Sequence, residues 1–174
     1  MHVIRLRAAD AAEYRSLMLH GYEHAADAFT TTAQERAAEP LAWWENRIAD
    51  PRGMSVALGA IDDATLVGGV ALEFSAKAKT RHTARLIGMY VLESHRRSGV
   101  AKALVEGAIG YVRSRSGVEV LSLTVTEGND PALRLYRTCG FVEFGTEPMA
   151  LLASTGYKAK VHMWRRVSDE FPAA

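Results

Sequence analysis

The stretch ESHRRSGVAKALVEGAI, Glu93 to Ile109, joins an apolar run to two arginines, a glycine and the start of a periodic segment. Ala101, Leu104, Val105, Ala108, Ile109 and Val112 recur at i, i+3, i+4, i+7, i+8 and i+11, one face of an amphipathic helix. The preceding run, TARLIGMYVL over 83–92, reads as a strand, so the junction is strand, tight loop, helix. Such a junction aims unpaired backbone N–H groups outward, with the positive end of the helix dipole behind them. Gly99 lets an anion approach the backbone, Ala101 keeps the next position small, and Arg96, Arg97 and Lys102 add charge. The pattern predicts a phosphate site, although a basic solvated turn would use the same residues and this loop alone does not separate the two.

Other phosphate loops fail by inspection. A nucleoside triphosphatase loop needs a Gly-Lys dipeptide, and none occurs. A dinucleotide fingerprint needs several glycines after an early strand, whereas Gly99 stands alone past the midpoint. With 174 residues, 48% hydrophobic and 24% charged, the chain has the composition of one globular domain spanning 1–174. A net charge of +1 offers no global attraction to nucleic acid or anionic membranes, so neither is expected as a partner. The single cysteine, Cys139, excludes an intrachain disulfide, and no signal-like or membrane-length apolar run is seen. The expected compartment is the cytoplasm.

Working outward, HVIRLRAAD predicts a strand, and Asp10 with Glu13 predicts a capping box before a helix bearing Tyr14, Leu17, Met18 and Tyr22. The polar stretch TTTAQERAAEP precedes a second helix around LAWWENRIAD, where Trp43 and Trp44 read as a packing face. MSVALGAI, TLVGGVALEF and TARLIGMYVL read as three sequential antiparallel strands, the first two joined by a turn at Asp62 and Asp63. Leu121, Leu123 and Val125 alternate with polar residues in a half-buried strand. NDPALRLYRTCG is a short helix with Pro131 at its start and Gly140 past its end. FVEFGTE and AKVHMWRRV close the chain as two strands around a looser loop from Pro148 to Tyr157.

RRSGVA, Arg96 to Ala101, resembles the Arg/Gln-x-x-Gly-x-Gly/Ala acyl-CoA pyrophosphate motif of the GCN5-related N-acetyltransferases, the GNAT family. TVTEGNDPALRLYRTCGF, Thr124 to Phe141, is similar to the family's Asn-x-x-Ala-x-x-Leu-Tyr-x-x-x-Gly-Phe segment, in the right order and at the usual separation. The resemblance implies an α/β (α+β) acyl-CoA N-acyltransferase fold, a mixed and mostly antiparallel sheet of about seven strands flanked by helices. It implies acetyl-CoA as acyl donor, no metal, and an acceptor primary amine, a small molecule or amino acid before a protein. It leaves room for a homodimer.

By that resemblance the strands Ala84–Val91 and Glu119–Thr126 splay apart, and the backbone of Met89, Tyr90 and Val91 holds the pantetheine arm. The N–H groups of Arg97, Ser98, Gly99, Val100, Ala101 and Lys102 take the pyrophosphate beside Arg96. Asn129 bonds near the pantetheine, and Tyr136 faces the sulfur as general acid; their plainer readings are a turn-shaping Asn and a core aromatic. A backbone N–H near Tyr90 is the natural oxyanion donor. No acid sits within Ala84–Val91, which leaves Glu73, Glu93 or an ordered water chain to take the acceptor's proton.

Two other function classes compete. His20-x-x-Glu23-His24 fits a zinc-peptidase helix pattern, and a non-catalytic acyl-CoA sensor would share the cofactor residues. Cys139 reads as packing, and His82 lies too far along its strand to reach the thioester. The acceptor site is expected from AFTTTAQERA and EPMALLASTGYKAKVHM; in the second, Tyr157, His162 and Met163 match a family pattern while Lys158, Ala159 and Lys160 replace its acidic stretch.

Overall fold

The computed structural model describes residues 1–168. In chain order the elements are β1 (His2–Arg5), α1 (Ala11–His24), α2 (Ala33–Ala37), α3 (Leu41–Ala49), β2 (Ser55–Asp62), β3 (Thr65–Phe74) and β4 (Thr83–Val91). There follow α4 (Val100–Arg113), β5 (Val120–Thr126), α5 (Asp130–Thr138), β6 (Val142–Ala153) and β7 (Gly156–Arg166). The strands form one sheet in the order β1-β2-β3-β4-β5-β7-β6. Only β4 and β5 pair in parallel, because the chain returns to the sheet through α4. The fold is the mixed, mostly antiparallel sheet flanked by helices that the motifs imply.

Alternation along the strands sends side chains to two cores. Leu86, Leu121, Leu123 and Met163 pack with the apolar face of α4, where Leu104, Val105, Ala108 and Val112 are buried. On the other face Tyr14, Met18, Trp44 and Ile48 from α1 and α3 cover the half of the sheet that ends at β4. Trp44 is fully buried in edge contact with Tyr14, while Trp43 lies under the guanidinium of Arg36. No helix among the described residues is long and apolar enough to cross a membrane.

Four local expectations change. Glu13 does not close a capping box with Asp10; its carboxylate accepts from the Leu66 N–H of β3, and Asp10 accepts from Arg7 N–H instead. The polar stretch before α3 contains α2, started by a capping box in which Thr32 and Glu35 satisfy each other's backbone N–H groups. The β2–β3 turn falls on Asp63 and Ala64, both at positive φ, because Asp62 still pairs with Thr65. The Pro148–Tyr157 segment is strand but for a turn at Ser154 and Thr155: bulges let β6 and β7 continue to an Ala153–Gly156 pair.

Candidate active site

β4 and β5 hydrogen-bond only from Thr83↔Val120 to Arg85↔Ser122, then part. Beyond Arg85, the edge of β4 that faces β5 has no ladder partner, so it stands ready for an extended ligand, although the Val91 carbonyl accepts from Arg96 Nε at 3.3 Å. The gap opens into a cleft of about 900 Å³ between the two cores. Its shape depends on a bulge. Gly69 pairs with Tyr90 and Ala71 with Ile87, so β4 carries one residue more than β3 there, with Gly88 at φ +56°. The extra residue reverses the alternation: Met89 and Val91 turn to the α4 core, and Tyr90 to the α1 core.

At one end of the cleft stands the N-terminus of α4. Gly99 is its N-cap in the left-handed region at φ +90°, with nothing within 4 Å of where a Cβ would lie. The first intrahelical bond runs from Ala103 N–H to the Gly99 carbonyl, so the N–H groups of the first turn remain open for an anion. Arg96, Arg97, Gly99, Ala101 and Lys102 line the cleft; Ser98 and Val100 do not. The Ser98 hydroxyl donates to the His95 carbonyl at 2.6 Å, and the Val100 side chain is buried in the core, which leaves only their backbone for the ligand. Arg96 is partly committed, donating to Glu93 at 2.8 Å, while Lys102 pairs loosely with Glu106 at 3.6 Å.

Met89, Tyr90, Val91, Asn129 and Tyr136 also line the cleft. Asn129 caps α5, its Oδ1 accepting from the Ala132 N–H at 3.3 Å, so it shapes the turn and faces the cleft at once. Tyr136 is 7% exposed, edge-on to Phe141, and donates its hydroxyl hydrogen to the Met89 sulfur at 3.3 Å. Burial pushes its pKa well above the ordinary tyrosine value, so the phenol keeps its proton throughout the physiological range.

The two carboxylates are not brought into the cleft lining. Glu73 accepts from the Arg47 guanidinium at 2.6 Å. Glu93 accepts from the Tyr90 hydroxyl at 2.7 Å and meets His20 Nε2 at 3.1 Å. The Tyr90 hydrogen bond, then its own backbone N–H and His20, hold Glu93 down to about 2, while burial and Glu93 push Tyr90 up to about 12.

The histidine pair is occupied elsewhere. His20 and His24 stack at 3.9 Å, with His24 Nδ1 on the His20 carbonyl and His20 Nε2 on Glu93, and no group of three or more potential ligands occurs among the described residues. Cys139 is buried, and burial raises its thiol pKa, as suits packing. His82 binds the start of β5 through its carbonyl, away from the cleft.

Several cleft residues carried no signal that sequence reading used. Thr124, Val125 and Thr126 form the β5 wall and look like any half-buried strand; Ile87 and Gly88 became visible only with the bulge. Ala25, Ala28 and Phe29 close the far end, and Lys158 of β7 reaches Asp27 beside them at 2.9 Å.

A family model described as the acetyltransferase (GNAT) family matches residues 18–141. The chain belongs to the GNAT family. Its GNAT core therefore makes it an N-acetyltransferase with acetyl-CoA as donor. The chain is similar to the L-amino acid N-acetyltransferase AaaT of Escherichia coli (strain K12), 29% identical over 122 residues that cover 70% of this chain and 74% of that one. Among solved structures, yncA, a putative acetyltransferase from Salmonella typhimurium with its cofactor acetyl-CoA, superposes with TM-score 0.81. It is 20% identical and covers 100% of this chain and 98% of its own. A ribosomal-protein-alanine N-acetyltransferase from Brucella melitensis gives 0.78 at 23% identity, covering 95% and 99%.

Proposed function

We propose that residues 1–174 form a single GNAT domain that acetylates the primary amine of a small molecule, an amino acid first, by direct attack within a ternary complex. The observation that carries this reading is the convergence of Tyr136, the Met89 bulge and the open α4 N-terminus on one cleft. The name of the Escherichia coli relative supports the amino-acid acceptor. Acetyl-CoA supplies the thioester. The β5-facing edge of β4 from Met89 to Val91 holds the pantetheine once Arg96 Nε releases the Val91 carbonyl, with Asn129 alongside, and the N–H groups from Arg97 to Lys102 bind the pyrophosphate with Arg96 as counter-charge. A backbone N–H near Tyr90 steadies charge on the carbonyl oxygen while the amine nitrogen bonds to the carbonyl carbon. As the carbon–sulfur bond breaks, Tyr136 gives its proton to sulfur and regains one from solvent. With Glu73 and Glu93 already engaged outside the cleft, the acceptor's proton leaves through water.

The reading extends to a cytoplasmic location and leaves room for a homodimer. The latter is supported by edge strand β6, which exposes Val142, Phe144 and Leu152. Free-thiol release from acetyl-CoA across amines, amino acids and peptides tests the activity. Binding of acetyl-CoA without release to any acceptor would favour a sensor.

A further inference from the structure

Thr126, at the end of β5, is 5% exposed and lines the cleft, yet its Oγ1 has no hydrogen-bond partner. A buried hydroxyl left unpaired is costly, and such a group at a binding cleft marks the place of a missing ligand atom. Its direction follows from the strand: Val125 packs into the α4 core, so Thr126 points to the other face, beneath Ala25 and Ala28. The cross-strand neighbour of Thr126 is Lys160 of β7, which shares that face. Directly opposed residues hold their Cβ atoms about 4.5–5.5 Å apart.

The Lys160 ammonium makes no side-chain hydrogen bond or ion pair among the described residues. The carboxylates that would answer it are taken: Glu147, opposite it on β6, contacts His162 at 3.0 Å, and Asp27 binds Lys158 at 2.9 Å. Half-buried, Lys160 is held below the ordinary lysine range chiefly by desolvation, with Glu147 opposing and the Arg85 cation adding to the effect. A hydroxyl without a partner, in the cleft lining, and a cation without a hydrogen bond, next to that lining on β7, therefore occupy facing positions. Two adjacent donors, one charged, suit the two oxygens of a carboxylate, and the charge repels an ammonium.

Position narrows the ligand. Carrying the Arg85↔Ser122 register forward, with allowance for the extra residue at Gly88, sets Thr126 level with Tyr90 across the opening. The anchor thus lies beside the point of attack, and in an α-amino acid the amine and carboxylate share one carbon. The walls there, Ala25, Ala28, Phe29 and Ile87, are apolar. We propose that Thr126 and Lys160 hold the carboxylate of the acceptor, which makes the acceptor a free α-amino acid with an apolar side chain. This rests on the acetyl-transfer reading above.

The test compares leucine, methionine and phenylalanine with their primary amides as acceptors, in wild type, Thr126→Val and Lys160→Met. Wild type is expected to prefer the acids, and each substitution to raise KM for the acids by roughly 10- to 100-fold, the effect of losing one hydrogen bond to a charged group. The preference for acid over amide collapses in both variants, and in Lys160→Met, outside the cleft lining, KM for acetyl-CoA stays unchanged. Wild type that takes the amides as well as the acids, or variants that lose acid and amide alike, overturns the proposal while leaving acetyl transfer intact; preference for the amide would indicate a peptide N-terminus. Calorimetry with N-acetyl-leucine, N-acetyl-methionine and N-acetyl-phenylalanine in the presence of CoA gives a readout without turnover. Binding that Lys160→Met abolishes supports the anchor, and absence of binding to wild type overturns it. Absence of thiol release with every amine, by contrast, would overturn the acetyl-transfer reading.

Discussion

The Tyr136 hydroxyl donates to the sulfur of Met89 at 3.3 Å, across the gap that separates α5 from the bulged end of β4. A buried phenol with only a thioether to bind is poorly satisfied and free to turn to a better acceptor, such as a departing thiolate. Tyr136→Phe keeps the ring and its contact with Phe141 but removes the proton. The expected result is a fall in kcat of roughly 10² to 10⁴ with little change in acetyl-CoA affinity. Because the pKa lies above the ordinary value, the acid form persists on raising the pH, and Tyr136 contributes no descending limb to the kcat profile up to about pH 10. Single-turnover rates across pH check both statements.

Gly99 caps α4 at φ +90° with free space over its α-carbon. Gly99→Glu puts a side chain and a like charge at the proposed pyrophosphate site, and acetyl-CoA affinity is expected to fall at least about 100-fold. Gly99→Ala carries the same left-handed strain without the charge. Titration calorimetry on both variants, with circular dichroism to show that each is folded, separates repulsion from strain. Normal binding by the glutamate variant would remove the pyrophosphate from this loop.

Gly21 sits inside α1, where alanine would normally stabilise a helix by about 1 kcal/mol. Here a Cβ would lie 2.7 Å from Cγ of Tyr90, a ring held in place between α1 and β4. Gly21→Ala is therefore expected to destabilise by about 1–3 kcal/mol. Denaturant unfolding of the variant checks the sign, and relief of the loss in Gly21→Ala/Tyr90→Ala would assign it to this contact.

Glu93 has a folded pKa of about 2 against an ordinary 4.5, held there first by the Tyr90 hydroxyl. A depressed carboxyl stabilises the fold above its unfolded pKa, and that contribution disappears as pH falls from about 4.5 to about 2. The Tm gap between wild type and Glu93→Gln is expected to be largest near about pH 6 and to close in that acid window, with a modest size because the side chain is 47% exposed. On the proposal that the acceptor's proton leaves through water, Glu93→Gln and Glu73→Gln are each expected to change kcat by less than about tenfold. A larger loss in either would identify it as the base.

Residue order alone carried the family and most of the architecture, because both rest on local chemistry. The α4 junction needs only Gly99, a following helical period and neighbouring cations, and the α5 motif needs Asn129 as cap, Pro131 in the first turn and Gly140 at the end. Periods of 3.6 and 2 then assign the faces of α4 and β5 without knowledge of any partner. Other features depend on residues far apart in the chain meeting. Glu13 resembled a cap because Asp10 is three residues away, yet the Leu66 N–H, 53 residues distant, competes better for its carboxylate. Glu93 reads in the sequence as a candidate base, yet in space Tyr90 and His20 converge on its carboxylate. The β4 bulge, which decides whether Met89 or Tyr90 faces α4, exists only as a mismatch in count between β3 and β4. Thr126 and Lys160 lie 34 positions apart and acquire meaning only when β5 and β7 pair, since hydrogen bonds and charges are satisfied in space rather than along the chain.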